Sequence, residues 1–349
     1  MQKKILVAMS GGVDSSVCAL LLKKEGYDVY GMMLRLYSDN SLPLGEAQNE
    51  KDAKAVCDSL SIPFFVADYH TEFEKEVIGE FIAAYERGET PNPCVVCNRK
   101  VKFEFMLREA DRLGIEKIAT GHYAICEEEN GKTVIRKGKD MRKDQSYMLA
   151  GLTSEQISRV IFPLGELTKD EIRAIAYESA LPVAAKKDSQ DICFIPDGDY
   201  ISFIEKTTEK NYPEGDFVDL SGNVLGKHKG LVRYTTGQRK GLGLALPAPL
   251  YVLSKDVENN RVILGTNNQL FERECIVRNV NIISSEMPSE PFSAEVKVRY
   301  SHSASPATVY PLGDTTVRVL FDTPQRAITK GQTAAFYKGD ILIGGGFIE

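Results

Sequence analysis

The chain has 349 residues, 43% of them hydrophobic and 26% charged, with a net charge of −6. That is the composition of an ordinary soluble protein with core enough for two or three domains. No apolar run approaches a membrane span, and residues 1 to 16 hold a glycine turn where a signal peptide needs an apolar stretch, so no membrane partner and a cytoplasmic location are expected.

The apolar run Ile5-Leu6-Val7-Ala8 predicts a buried strand, and Val17 to Leu22 a helix. Between them lies Ser10-Gly11-Gly12-Val13-Asp14-Ser15-Ser16, a glycine turn that lets backbone N–H groups approach phosphate oxygens at a helix N-terminus, with serine hydroxyls as further donors. No lysine follows the glycines, so this is not a GxxxxGK[ST] loop. It reads as a loop that holds pyrophosphate as a leaving group while AMP passes to a substrate.

Strand and helix patterns then alternate: a strand over Val29 to Leu36, a helix over Glu46 to Leu60, a strand over Pro63 to Ala67, a helix over Thr71 to Arg87, a further helix ending near Leu113, and a strand over Lys117 to Thr120. This predicts an α/β fold with a doubly wound parallel sheet, its glycine loop at the carboxyl end of the first strand. Gly131 to Lys143 is basic. Helical periodicity returns in Ser154 to Val160 and in Lys169 to Ser179, the second opened by the capping pair Thr168 and Glu171. Beyond Tyr212 the segments are short and broken by Gly and Pro. From about Ile276, alternation in Ala294 to Tyr300, Thr315 to Phe321 and Thr333 to Tyr337 predicts a small β-barrel. The expected units are 1–205, 206–275 and 276–349.

Charge is uneven. Lys and Arg against Asp and Glu number 26 against 34 over residues 1 to 205, and 17 against 15 over 206 to 349. Gly222 to Lys255 carries Lys227, Lys229, Arg233, Arg239, Lys240 and Lys255 with no acid, a run that can follow a phosphate backbone or form a solvated loop face.

The seven cysteines are irregularly spaced, which reads as reactive or metal-binding thiols in a reducing compartment. In Thr90-Pro91-Asn92-Pro93-Cys94-Val95-Val96-Cys97-Asn98-Arg99-Lys100 the prolines fix a loop ending at a helix start, where the helix N-terminus, Arg99 and Lys100 would favour the Cys97 thiolate. A structural zinc would need a second ligand pair, and none has the spacing. Cys193 closes the polar segment Asp188-Ser189-Gln190-Asp191-Ile192; Cys18, Cys57 and Cys126 read as packed small hydrophobes. An adenylating loop with two loop cysteines points to replacement of an activated carbonyl oxygen by sulfur carried as a persulfide, with a partner thiol to resolve the S–S bond.

The string Ala8 to Ser16, Thr90 to Pro93 with Cys97-Asn98, Thr120-Gly121-His122-Tyr123, Lys143-Asp144-Gln145-Ser146-Tyr147, Asp188 to Phe194, Tyr234 to Gly243 and Val298-Arg299-Tyr300 together resemble the bacterial tRNA-specific 2-thiouridylases of the PP-loop ATP pyrophosphatase group, over nearly the whole chain. The resemblance implies 2-thiolation of the wobble uridine in tRNAs for Lys, Glu and Gln, with ATP and Mg2+. It implies an ATP site from Ala8, Met9, Ser10, Gly11, Gly12, Val13, Asp14 and Ser15 with Leu34 and Gly121, and a persulfide on Cys193 with Cys97 as its partner nucleophile. Asn92, Pro93 and Cys94 would meet the target base, while His122, Lys143, Asp144, Gln145, Arg299, Tyr300 and Gln332 would contact tRNA. The acid-free basic stretch falls in the family's central tRNA-binding module. Sulfur would come from a cysteine desulfurase or a persulfide relay protein. Where better-known members carry an aspartate, this chain has Cys94, so Cys94, Cys97 and Cys193 could instead hold three irons of a [4Fe–4S] cluster. The rival readings are another PP-loop ligase or amidotransferase, and a non-catalytic tRNA-binding scaffold. The first would predict a glutaminase domain or amine site, and the second a degraded loop.

Overall fold

A computed structural model describes residues 2–37, 46–187, 192–245, 248–283 and 286–349. Asp188 to Asp191 of the motif before Cys193 lie outside them. Strands β1 (Lys4–Ala8), β2 (Asp28–Arg35), β3 (Phe64–Asp68), β4 (Lys117–Ala119) and β7 (Val160–Ile161) form one parallel sheet in the order β3-β2-β1-β4-β7. Alternate residues of β1 point to opposite faces, as the two-residue period of a strand requires. Ile5 and Val7 pack with α1 (Val13–Lys24), α2 (Glu46–Ser59) and the helix Lys169–Glu178, through Val17, Val56 and Ile172. Leu6 packs on the other face with Phe103, Met106, Ala335 and Tyr337. The expected doubly wound sheet is therefore present, and its far face is covered partly by residues of the C-terminal unit.

Between β4 and β7 comes the hairpin of β5 (Ala124–Glu129) and β6 (Lys132–Lys137). β6 pairs with β17 (Ile341–Ile348) through Arg136 with Ile341 and Ile135 with Leu342. The basic run Gly131 to Lys143 is thus partly a strand, and its cations have local acids. Arg136 pairs with Glu127, Glu129 and Asp340, Lys139 with Glu171 at 3.2 Å, and Arg142 with Asp140 at 3.0 Å.

The central unit is a four-stranded sheet of β8 (Gly215–Val218), β9 (Val224–His228), β10 (Tyr251–Asp256) and β11 (Arg261–Gly265), built on Phe217, Tyr234, Val252 and Val262. The C-terminal barrel contains β12 (Phe271–Ile282), β13 (Phe292–Lys297), β14 (Ser305–Pro311), β15 (Val317–Arg326), β16 (Thr333–Lys338) and β17, closed by pairing of β12 with β17. Its first strand starts before the expected Ile276 because Phe271 to Glu274 are exposed and show no alternation to read. Cys275 lies in the barrel core, and Cys18 and Cys57 lie in the core of the first unit. Among the described residues no helix is long and apolar enough to cross a membrane.

Candidate active site

The glycine loop sits where the strand order reverses, with β2 on one side of β1 and β4 on the other. Ligands of open α/β sheets bind in that crevice. Gly11 has φ +69°, and a Cβ there would meet the Asn49 backbone of α2, so the position requires glycine. Gly121, just past β4, approaches the loop from the opposite side: a Cβ would lie 2.9 Å from the carbonyl carbon of Asp14 and 3.0 Å from the Ser15 nitrogen. The Ser10 N–H donates to Ser15 Oγ at 3.1 Å, and Ser15 and Ser16 hydroxyls donate to the Gly12 carbonyl at 3.2 and 2.7 Å. Met9 and Val13 are buried beneath the loop, and Ala8 and Leu34 are half-buried at the ends of β1 and β2.

Two lysines reach the loop from far along the chain. Lys169 Nζ and the Tyr123 hydroxyl both donate to Asp14 Oδ1 at 2.7 Å. Lys186 Nζ donates to the Gly11 carbonyl at 2.9 Å, to Asn49 Oδ1 at 2.7 Å and to Asp52 Oδ2 at 2.6 Å. Burial works against the Asp52 carboxylate, but hydrogen bonds from Lys186 and Gln48 outweigh it and hold the carboxyl below its usual range. Neither lysine carries a sequence signal for this role, because only the fold brings them to the glycines.

The thiol segment begins at Asn92, whose side chain caps the helix Pro93–Cys97 by accepting the Cys94 N–H at 3.1 Å, with Pro93 in the first turn. This puts Cys94 at the helix start and Cys97 a turn deeper, 5% exposed. The expected N-terminal activation of Cys97 by Arg99 and Lys100 is corrected accordingly. Lys100 turns away to Glu76 at 2.8 Å, and Arg99 lines a cleft between the thiol segment and the barrel. Burial pushes the Cys97 thiol up to about 12, and the cation opposing it is Lys102. A regular helix would turn Lys102 about 140° away from Cys97. Here Asn98–Phe103 is a π-turn, whose i→i+5 step brings the residue five positions on back over the same face.

Lys102 is exposed. Its charge acts on Cys94, Cys97 and Cys193 and on His122. Cys193 is exposed, and the next residue anchors it: Phe194 packs on Phe73, Phe81 and Phe203 at 5.8, 5.3 and 5.2 Å, in the cluster that also holds Cys97. All seven cysteines are free thiols. Among the described residues no three His, Cys, Asp or Glu side chains are gathered as a metal site.

Family models cover the chain in three parts: a tRNA methyl transferase HUP domain over residues 3–197, a tRNA methyl transferase PRC-barrel domain over 201–266, and an aminomethyltransferase β-barrel domain over 272–348. The tRNA-specific 2-thiouridylase MnmA of Acetivibrio thermocellus is 47% identical over 357 residues, covering 100% of this chain and 99% of that protein. The enzyme of the same name from Clostridioides difficile is 44% identical over 356 residues, with 100% and 99% coverage. The chain belongs to the tRNA-specific 2-thiouridylase family.

In this thiouridylase the residues expected to meet tRNA divide into surface and scaffold. Tyr300 is exposed and Lys143 half-buried. Asp144 is buried, accepting from the Gly138 and Ser146 N–H groups at 3.0 and 3.1 Å, so its carboxylate builds the turn instead of facing a ligand. Gln145 accepts the Tyr123 N–H at 3.0 Å. His122 is half-buried between Phe103 and Phe162, 5.7 and 5.9 Å away, with Nδ1 2.7 Å from Thr120 Oγ1. Burial, then Lys102, push its pKa down to about 3, so the ring is neutral. Arg299 donates to the carbonyls of Thr236 and Ala327 at 2.9 and 3.1 Å and to Thr329, and Gln332 donates to the Thr90 carbonyl at 2.7 Å.

The acid-free basic stretch is also divided. Lys227 pairs with Asp216 at 2.6 Å, Arg233 pairs with Glu205, and Lys255 donates to the carbonyls of Glu89 and Tyr234 at 3.2 and 2.9 Å. Lys229, Arg239 and Lys240 remain on the exposed surface.

Proposed function

We propose that the chain is a tRNA-uridine 2-sulfurtransferase that acts on the wobble uridine of tRNAs for Lys, Glu and Gln. The observation that carries this reading is that Gly121 packs against Asp14 and Ser15 of the glycine loop while its neighbour His122 feels the charge of Lys102, the cation that also acts on Cys97 and Cys193. The loop N–H groups and serine hydroxyls bind the triphosphate, supplied as its magnesium complex, whose metal offsets phosphate charge beside Asp14. The uridine O2 attacks the α-phosphorus, an O–P bond forms, and the bond to pyrophosphate breaks. The terminal sulfur of a Cys193 persulfide then attacks C2, and AMP leaves with the C2–O bonding electrons. The Cys97 thiolate attacks the Cys193 sulfur, and the S–S electrons pass to the uridine sulfur to release the product. The resulting Cys97–Cys193 disulfide needs an external dithiol for the next turnover.

Asn92, Pro93 and Cys94 form the helix start beside the target base, which must leave the anticodon stack for its Watson–Crick edge to be reached. Lys143, Tyr300, Lys229, Arg239 and Lys240 supply contacts to the RNA backbone, and the sulfur donor is a cysteine desulfurase or a persulfide relay protein in the cytoplasm. Domain limits of 1–205, 206–275 and 276–349 go with this reading.

The test is reconstitution with ATP, unmodified tRNA and a persulfide donor, read by nucleoside mass analysis. Native protein is expected to form 2-thiouridine, and Cys97→Ala and Cys193→Ala to form none. Undiminished thiolation by either variant overturns the thiol assignment. Iron and labile sulfide in anaerobically purified, active protein would replace the persulfide route with a cluster.

A further inference from the structure

The peptide joining Gly11 and Gly12 is the most permissive in the loop, since neither residue has a Cβ to bias it. A planar trans peptide points its C=O and N–H in opposite directions, so the side that the Gly11 oxygen faces decides the side that the Gly12 N–H faces. The loop's own hydroxyls leave that choice open, because Ser15 and Ser16 both bind the following carbonyl, that of Gly12. What holds the Gly11 carbonyl is Lys186, at 2.9 Å.

Lys186 is itself fixed from several directions. Its ammonium is bonded to Asn49 and Asp52 of α2, its N–H donates to the Val183 carbonyl at 2.9 Å, and its own carbonyl accepts from Arg173 at 3.2 Å. Asn49 is also the residue whose backbone presses on Gly11. The ammonium thus ties the loop, α2 and the segment after residue 183 at one point, on the side of the peptide opposite the Gly12 N–H.

We propose that Lys186 is a positioning residue for ATP: by drawing the Gly11 carbonyl toward α2 it presents the Gly12 N–H to the triphosphate, the task that a P-loop gives to loop sequence. This rests on the ATP reading of the loop.

The test is calorimetric binding of α,β-methylene-ATP with Mg2+ to the full chain, without tRNA. Lys186→Met is expected to weaken binding about tenfold or more, the scale of losing a charge-assisted hydrogen bond to a fixed backbone group. Asp52→Asn, which keeps the lysine, is expected to weaken it less than about threefold, and the double variant to match Lys186→Met. In turnover, KM for ATP rises while KM for tRNA holds. Lys186→Arg, which keeps a donor within reach and guards against a folding defect, is expected to recover most of the affinity. Recovery of native affinity in the double variant would mean that the lysine only neutralises Asp52, and would overturn the proposal. Equal binding by every variant would do the same, whereas a native chain that binds no nucleotide would refute the ATP reading itself.

Discussion

At the scale of single residues, Cys97 and Cys193 differ in the property that governs thiol chemistry. Cys97 is buried and its thiol held up near 12, while Cys193 is exposed. The thiolate is the reactive form, so Cys97 at neutral pH is held as the thiol. Alkylation by iodoacetamide at pH 7.5, followed by peptide mass analysis, is expected to label Cys193 at least about tenfold faster than Cys97, with Cys97 labelling still rising above pH 9. Equal labelling at pH 7.5 would show that Cys97 is open to solvent and its thiolate already formed. The sequence made both thiols visible as candidates, Cys97 through the prolines that end a loop at a helix start and Cys193 through the polar segment before it. It could not show that Cys97 sits one turn in, because that depends on which residue becomes the cap.

Among the elements, the helix from Pro93 to Arg112 shows how local geometry redirects chemistry. Helical periodicity was legible along it, but the π-turn at Asn98–Phe103 was not, for an inserted step leaves no composition signal. Without that step Arg99 and Lys100 look like the neighbours of Cys97; with it, Lys102 is. Lys102→Met is expected to raise the Cys97 pKa by about one unit and slow its alkylation roughly tenfold at fixed pH, with Lys102→Arg close to native. An unchanged labelling rate for Cys97 in Lys102→Met would remove Lys102 from the site. The same contrast holds for the glycine loop: Gly11, Gly12 and the serines announce themselves, whereas Lys169 and Lys186 become part of the site only once Asp14 and Gly11 are folded beside them.

Across the whole molecule, the loop that carries Asn92 toward its helix is held by both smaller units. The Thr90 N–H donates to the Lys330 carbonyl at 2.8 Å, Gln332 donates to the Thr90 carbonyl, and Lys255 of the central sheet donates to the Glu89 carbonyl. Three ordinary-looking barrel and sheet residues therefore fix the entry to the thiol helix, a dependence invisible to motifs read one at a time. Burial draws the Lys255 pKa down to about 8 from its ordinary 10.5. The folded chain then releases this proton before the unfolded chain does, so between about pH 8 and 10.5 the unfolded state binds more protons and this residue's contribution to stability rises with pH. Below pH 8 both states hold the proton and the contribution is flat. Lys255→Met removes the titration and two hydrogen bonds to carbonyls, a loss of about 1.5–3 kcal/mol. Thermal melts at pH 7.5 and 9.5 are expected to show the variant further below the native chain at pH 9.5 than at pH 7.5, where burial of the charged lysine offsets the bonds it makes. A gap that narrows at pH 9.5 would mean that Lys255 is stabilised as a cation, through an ion pair with Glu89 instead of its backbone carbonyl. The loop would then be held by charge, and its hold would weaken with added salt.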